Sequence, residues 1–183
     1  MRRNNHMINI LFAILVTCIS CNLLAQEPIR VGTTTANFLE IGYGTAGCGM
    51  GDAYVSMAKD LSAIYWNPAG LAYLKKQQAL FVYQPWFVDS QLMLSSVGFN
   101  IPTIGTFAIS MVGLNFGTMD VTTLAQQEGT GEKFNAVDQS FVISYGRKLG
   151  TWFATGASLK SISSQVWHLR ASAFAFDLGV LIN

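Results

Sequence analysis

Several residue groupings in this sequence have types and spacings that could do chemistry. Gly42-Tyr43-Gly44-Thr45-Ala46-Gly47 satisfies the GxGxxG spacing that cradles a dinucleotide pyrophosphate. No strand-helix-strand unit surrounds it, so that chemistry is rejected, and the glycines are assigned to tight turns and close backbone packing. Asp52 and Asp60 could form a carboxylate pair. Acids at the ends of a short helix-compatible piece, 52–59, more simply cap or solvate it. His168 has no cluster of Cys or carboxylate around it and is not read as a metal ligand. No Gly-x-Ser-x-Gly elbow occurs. The sequence therefore predicts no enzyme, no metal site and no cofactor. Lys160 and Asp177 are different, because both fall inside strand-like segments on the less apolar face. Ionisable groups at membrane depth face an interior and pair, so both are expected to point into a lumen.

The surrounding composition explains why a membrane enters the argument. Of 183 residues, 11% are charged and 51% hydrophobic, against about 25% charged in a typical soluble domain. The net charge of +1 gives no electrostatic reason to expect nucleic acid. At the start, Arg2 and Arg3 precede an uncharged apolar run, 10–19, and Leu23-Leu24-Ala25 precedes Gln26. This is the pattern of a cleaved secretory signal peptide over residues 1–25. The run is short for a transmembrane span of about 20 residues. Cleavage before Cys18 or Cys21 would make a lipoprotein, but neither Leu15-Val16-Thr17-Cys18 nor Cys18-Ile19-Ser20-Cys21 is a good lipobox. Cleavage after Ala25 leaves Cys48 as the one cysteine, so no internal disulfide is expected.

No later segment reads as a membrane helix. An exported, apolar, helix-poor chain can still cross a bilayer as a closed β-barrel, which satisfies its backbone polar groups between strands. From Ala79 onward the residues alternate with a period of two. Phe107 and Ile109, Phe141 and Ile143, and Phe174, Phe176 and Leu178 fall on one apolar face, predicted to meet lipid. Gly, Ser, Ala and Asn, with Asp177, occupy the other, where a soluble sandwich would place Lys, Glu, Thr and Arg. Six strands are predicted at 79–88, 91–101, 105–119, 138–148, 151–163 and 172–183. Short turns are expected at 102–104 and 149–150. Longer outer loops are expected at 120–137 and 164–171, with a brief one at Asp89-Ser90. Tyr83, Trp86, Phe87, Trp152, Phe153 and Trp167 lie near strand ends, where aromatic girdles sit.

The segment before the strands carries the most specific signal. Phe38-Leu39-Glu40-Ile41-Gly42, Gly49-Met50-Gly51-Asp52-Ala53-Tyr54-Val55 and Ala63-Ile64-Tyr65-Trp66-Asn67-Pro68-Ala69-Gly70-Leu71 resemble the N-terminal signature of PorV/PorQ-family outer-membrane proteins. The Asn-Pro-Ala element is also similar to that of FadL-like transporters of hydrophobic solutes. Asp120-Val121-Thr122-Thr123 and 166–179 fit the same pattern, whereas Cys48 stands where Ala or Gly is more usual. The resemblance implies an all-β protein, an antiparallel 14-stranded transmembrane barrel. Residues 26–78 would supply an N-terminal segment whose part 31–74 forms a hatch with a short helix, and residues 79–183 would supply a part of the barrel. Gly47, Gly49, Gly51 and Asp52, with Trp66-Asn67-Pro68-Ala69-Gly70, would form the hatch and its turn. Six strands fall short of the eight of the smallest common barrels, so the sequence is expected to be a fragment of a longer protein, or else one share of a barrel divided between subunits. The implied function is protein transport in type IX secretion, in the outer membrane of a Gram-negative bacterium. Its partners would be outer-membrane lipid, other secretion components and the C-terminal domains of cargo proteins. The alternative is a FadL-like channel for hydrophobic small molecules, and a weaker one is a soluble exported β-domain for binding or adhesion.

Overall fold

The computed structural model describes residues 36–86 and 88–182. Residues 1–35, which include the expected signal peptide, and Phe87 and Asn183 lie outside the described residues. Six strands form one antiparallel sheet in sequence order: β1 (Gln78–Pro85), β2 (Gln91–Ile101), β3 (Gly105–Asp120), β4 (Lys133–Lys148), β5 (Phe153–Val166) and β6 (Leu169–Ile182). The sheet is open, and β1 and β6 are its two edges. Among the described residues no helix is long and apolar enough to cross a membrane.

The register makes the two faces explicit. On the outer face, Val97, Ile109, Ile143, Leu159 and Phe176 form one continuous row across β2 to β6. Phe99, Phe107, Tyr145, Ala157 and Leu178 form the row on one side of it. Phe81, Ser95, Met111, Phe141, Ser161 and Phe174 form the row on the other. None of these side chains is charged. On β6, Phe174, Phe176 and Leu178 are 81%, 63% and 76% exposed. Eight residue steps from Phe174 to Ile182 run about 27 Å along the strand.

The opposite face carries the N-terminal segment. There the short α-helices Thr45–Gly49 and Ala63–Trp66 and the 3₁₀ segments Asn37–Glu40 and Pro68–Tyr73 replace regular structure. Two apolar clusters join this segment to the sheet. One gathers Leu61, Ile64, Leu71 and Leu74 with Ala108 and Val142, and the other gathers Phe38 and Tyr43 with Leu92, Leu94, Val112 and Ile162. Leu181, which breaks the alternation in β6, is buried on this face.

Three expectations are corrected. Residues 52–59 are not a helix: Gly51 and Asp52 are both left-handed, with φ of 62° and 64°, and two such residues end any right-handed helix. The turn at Asn67-Pro68-Ala69-Gly70 is closed by the Gly70 N–H donating to the Asn67 carbonyl at 2.9 Å and leads into the 3₁₀ segment Pro68–Tyr73, so it is not among them. The loop expected at 164–171 is a two-residue hairpin. Pairing continues through Ser164↔Ala171, Gln165↔Arg170 and Val166↔Leu169, and Trp167 takes the left-handed position with φ of 53°. The polar residues there extend the ladder beyond the apolar rows instead of ending it. Likewise β4 begins at Lys133, so the long loop shrinks to 121–132, while β1 ends at Pro85, leaving five residues before β2.

Candidate functional site: the seat of the N-terminal segment

Asn67 is the hub of the contact between segment and sheet. Its side-chain Oδ1 accepts from the Ala69 backbone N–H at 3.1 Å, capping the 3₁₀ segment that Pro68 opens. Its Nδ2 donates to the Val55 carbonyl and to the Val180 carbonyl of β6, each at 3.2 Å. One buried amide therefore ties two parts of the segment and an edge strand together.

The sheet is shaped to receive this turn. Gly146, Gly156 and Gly179 stand side by side across β4, β5 and β6. A Cβ on Gly156 would lie 2.3 Å from the Pro68 carbonyl carbon and 2.5 Å from the Ala69 nitrogen. One on Gly146 would meet the Pro68 oxygen at 2.7 Å, and one on Gly179 the Asn67 Oδ1 at 2.2 Å. Three missing side chains thus make a trough in which backbone packs on backbone. The same row continues through Thr106 and Asn100, whose Nδ2 donates to the Leu74 carbonyl at 2.7 Å and to Thr106 Oγ1 at 3.0 Å. The serines of this face pair with each other, Ser96 with Ser110 and Ser144 with Ser158, each at 2.7 Å. Ser140 on this face, like the Tyr43 hydroxyl in the segment, is buried with no partner among the described residues.

The remaining residues singled out from the sequence fall around this seat. Gly70 packs so closely that a Cβ would meet the Ala58 oxygen at 2.0 Å, and Gly47 leaves room for the Trp66 ring, 2.3 Å from its would-be Cβ. Gly49 ends the helix Thr45–Gly49, and a Cβ there would meet nothing within 4 Å. Asp52 lies against Gly42. Asp60 accepts from the Ser62 backbone N–H at 2.9 Å and from the Ser62 hydroxyl, fixing the entry to the helix Ala63–Trp66. The two acids serve local structure separately. Cys48 is exposed, and its thiol donates to the Gly42 carbonyl.

Tyr43, Tyr65 and Trp66 stack edge to face, with centroids 4.8 and 5.0 Å apart. The Tyr65 hydroxyl lies within donating reach of the Leu39 and Ile41 carbonyls, at 2.7 and 2.9 Å. Burial, reinforced by the neighbouring Tyr65, pushes the Tyr43 phenol well above its ordinary range. Burial also raises Tyr65, helped by the charge of Asp52. Both phenols keep their protons at physiological pH, so the Tyr65 hydroxyl is available to donate. Beside this cluster, between the segment and β1–β2, lies a cavity of about 290 Å³ bordered by Tyr43, Tyr54, Tyr65, Trp66, Leu80 and Leu94.

Lys160 and Asp177 lie on the face that carries the segment and bond to each other, Nζ to Oδ2 at 2.7 Å. The contact is diagonal, since Lys160 stands opposite Ala175 and Asp177 opposite Ser158. They line a hollow of about 410 Å³ together with Tyr65, Trp66, Asn67 and Pro68. Their side chains are 15% and 36% exposed. Removing one partner strands the other charge, whereas replacing both removes the penalty. Lys160→Met is therefore expected to cost about 1–2 kcal/mol, discounted from the fully buried case because Asp177 reaches solvent. Lys160→Met with Asp177→Leu should recover most of that loss. A double-mutant cycle on denaturation midpoints checks it, and additive losses would show that the pair is not coupled.

Phe107, Ile109, Phe141, Ile143, Phe174, Phe176 and Leu178 all lie exposed on the outer face. Trp86 and Trp167 lie at one end of the sheet and Trp152 and Phe153 at the other. Among the described residues no cluster of His, Cys, Asp or Glu could hold a metal ion. The glycine trough was missed in the sequence. Its only signal was glycine recurring at segment-facing positions of consecutive strands, and lining those up requires the register. Neither a scan against protein-family models nor a search of the curated proteins returns a match to this chain.

Proposed function

We propose that this chain forms a sector of an outer-membrane β-barrel of the PorV/PorQ type, with residues 36–74 as its plug, serving the transport or surface attachment of secreted proteins. The observation that carries the proposal is the contrast between the faces. Three rows of uncharged, mostly exposed side chains cover one side, and the other is filled by a segment seated in a glycine trough. A surface of the first kind suits acyl chains rather than water. A seat of the second kind closes the interior to free diffusion. In this reading the 121–132 loop, beyond the apolar rows, supplies contacts to secretion partners and to cargo C-terminal domains. Deleting the gene should strand cargo proteins in the periplasm, seen by fractionation and immunoblotting. Unchanged surface display would remove the secretion role.

A second reading has its own observation. The cavity beside Tyr43 and Trp66 is walled mostly by aromatic and aliphatic side chains, which favours a FadL-like channel for hydrophobic compounds. Under that reading the deletion strain takes up labelled fatty acid more slowly and displays cargo normally.

A further inference from the structure

Just beyond the apolar rows, the outer face changes character within two residues. Gln139, Ser163 and Ser172 form the next row, and Val137, Gln165 and Arg170 the one after. Asn135, Val137, Gln139, Ser163, Gln165 and Arg170 border a recess of about 260 Å³. Arg170 is held across it, its Nε donating to Ser163 Oγ at 3.1 Å. Among the described residues no carboxylate pairs with Arg170. Lys133, on the same face of β4, is already engaged by Asp120 at 3.7 Å, and Asp138 lies on the opposite face, accepting from Ser164. The recess therefore presents a guanidinium whose terminal nitrogens are unclaimed, with three side-chain amides around it. That is a donor set for a phosphate.

The location decides what carries the phosphate. Phe174 lies four residues along β6 from Arg170 on the same face, about 14 Å away. Phe141 lies two residues beyond Gln139 on β4. Trp167 closes the adjacent hairpin, its backbone N–H donating to the Asn135 carbonyl at 2.9 Å and its half-exposed ring tilted against that of Phe134 with centroids 6.5 Å apart. An amphipathic ring in that position marks a membrane–water boundary. A group bound at Arg170 with a tail lying over Phe141 and Phe174 would satisfy both surfaces at once.

We propose that Arg170, with Gln139, Gln165 and Asn135, binds the phosphate of an anionic lipid headgroup at the rim of the apolar face. This rests on the membrane reading above. The full chain would be reconstituted in phosphatidylcholine vesicles. The emission contributed by Trp167, taken as the difference from a Trp167→Phe variant, would be quenched with brominated phosphatidylglycerol or brominated phosphatidylcholine. Expected is an about fivefold preference for phosphatidylglycerol, the size of one arginine at an anionic surface, falling to no preference in Arg170→Gln. Inorganic phosphate at matched ionic strength should leave the preference intact. If free phosphate abolishes it, the site is one for soluble anions and the lipid assignment is wrong. Equal quenching by both lipids in the parent chain overturns the inference while leaving the barrel reading in place. No quenching of Trp167 by either lipid means that the ring does not meet a bilayer, and both fall.

Discussion

Gly156→Ala is expected to unseat the N-terminal segment and to cost about 3 kcal/mol, the upper range for forcing extra volume into a packed site. The new methyl would occupy space held by Pro68 and Ala69 backbone atoms at 2.3–2.5 Å, well inside contact distance. Those atoms cannot turn aside as a side chain can. Pro68 is fixed by its ring and by the Asn67 cap, and Asn67 is anchored in turn to Val55 and Val180. The strain therefore spreads to the whole segment instead of being absorbed locally. Gly113→Ala is the matched control, since its Cβ would meet only the Asp138 carbonyl at 3.8 Å, ordinary contact. In a strand that change should be neutral or slightly stabilising. Denaturation midpoints give the energies. Trypsin gives the location, because Lys59, Lys75 and Lys76 are exposed within or just after the segment. Gly156→Ala should be cut there faster than the parent chain. Equal protection in both variants would mean that the trough does not hold the segment.

How much of this could be read from the sequence follows from the range over which each signal acts. The faces of β6 were legible because alternation is local: Phe174, Phe176 and Leu178 are two residues apart, and the pleat does the rest. The six strands were legible for the same reason. Their ends were less so, because hydrophobic alternation stops where the apolar face stops, at Gln139 and Ser163, while backbone pairing runs on to Lys133 and Val166. Ser164 to Ala171 read as a loop by composition and proved to be a hairpin by hydrogen bonding. Asn67 and Pro68 announced a rigid local feature, but not that Gly146, Gly156 and Gly179 would lie beneath it. Those three come from separate strands, and only the register brings them into one row. Lys160 and Asp177 were placed on one face by parity. Their diagonal contact again depends on how β5 meets β6.

The sharpest separation of a membrane sheet from a water-soluble one comes from Ile143→Arg. Ile143 lies on the central strand β4 in the middle apolar row, between Ile109 and Leu159, four residues from Gln139 on one side and Arg147 on the other. It is flanked by paired strands, so the open edges of the sheet do not bear on it. If this row lies at the bilayer centre, an arginine there should cost about 2–4 kcal/mol. Gln139→Arg, beyond the rows, should cost about 0–1 kcal/mol, because a headgroup region solvates the charge. In water the order vanishes: Ile143 is already half exposed, and surface substitutions of that kind stay within about 0.5 kcal/mol. Folding into phosphatidylcholine vesicles, followed by urea titration and heat-modifiable gel mobility, measures both variants under one condition. A depth-dependent penalty supports acyl chains against this face. Equal small effects at positions 143 and 139 would instead place the same side chains in water, and the exposed phenylalanines of β6 would then need a protein partner to cover them.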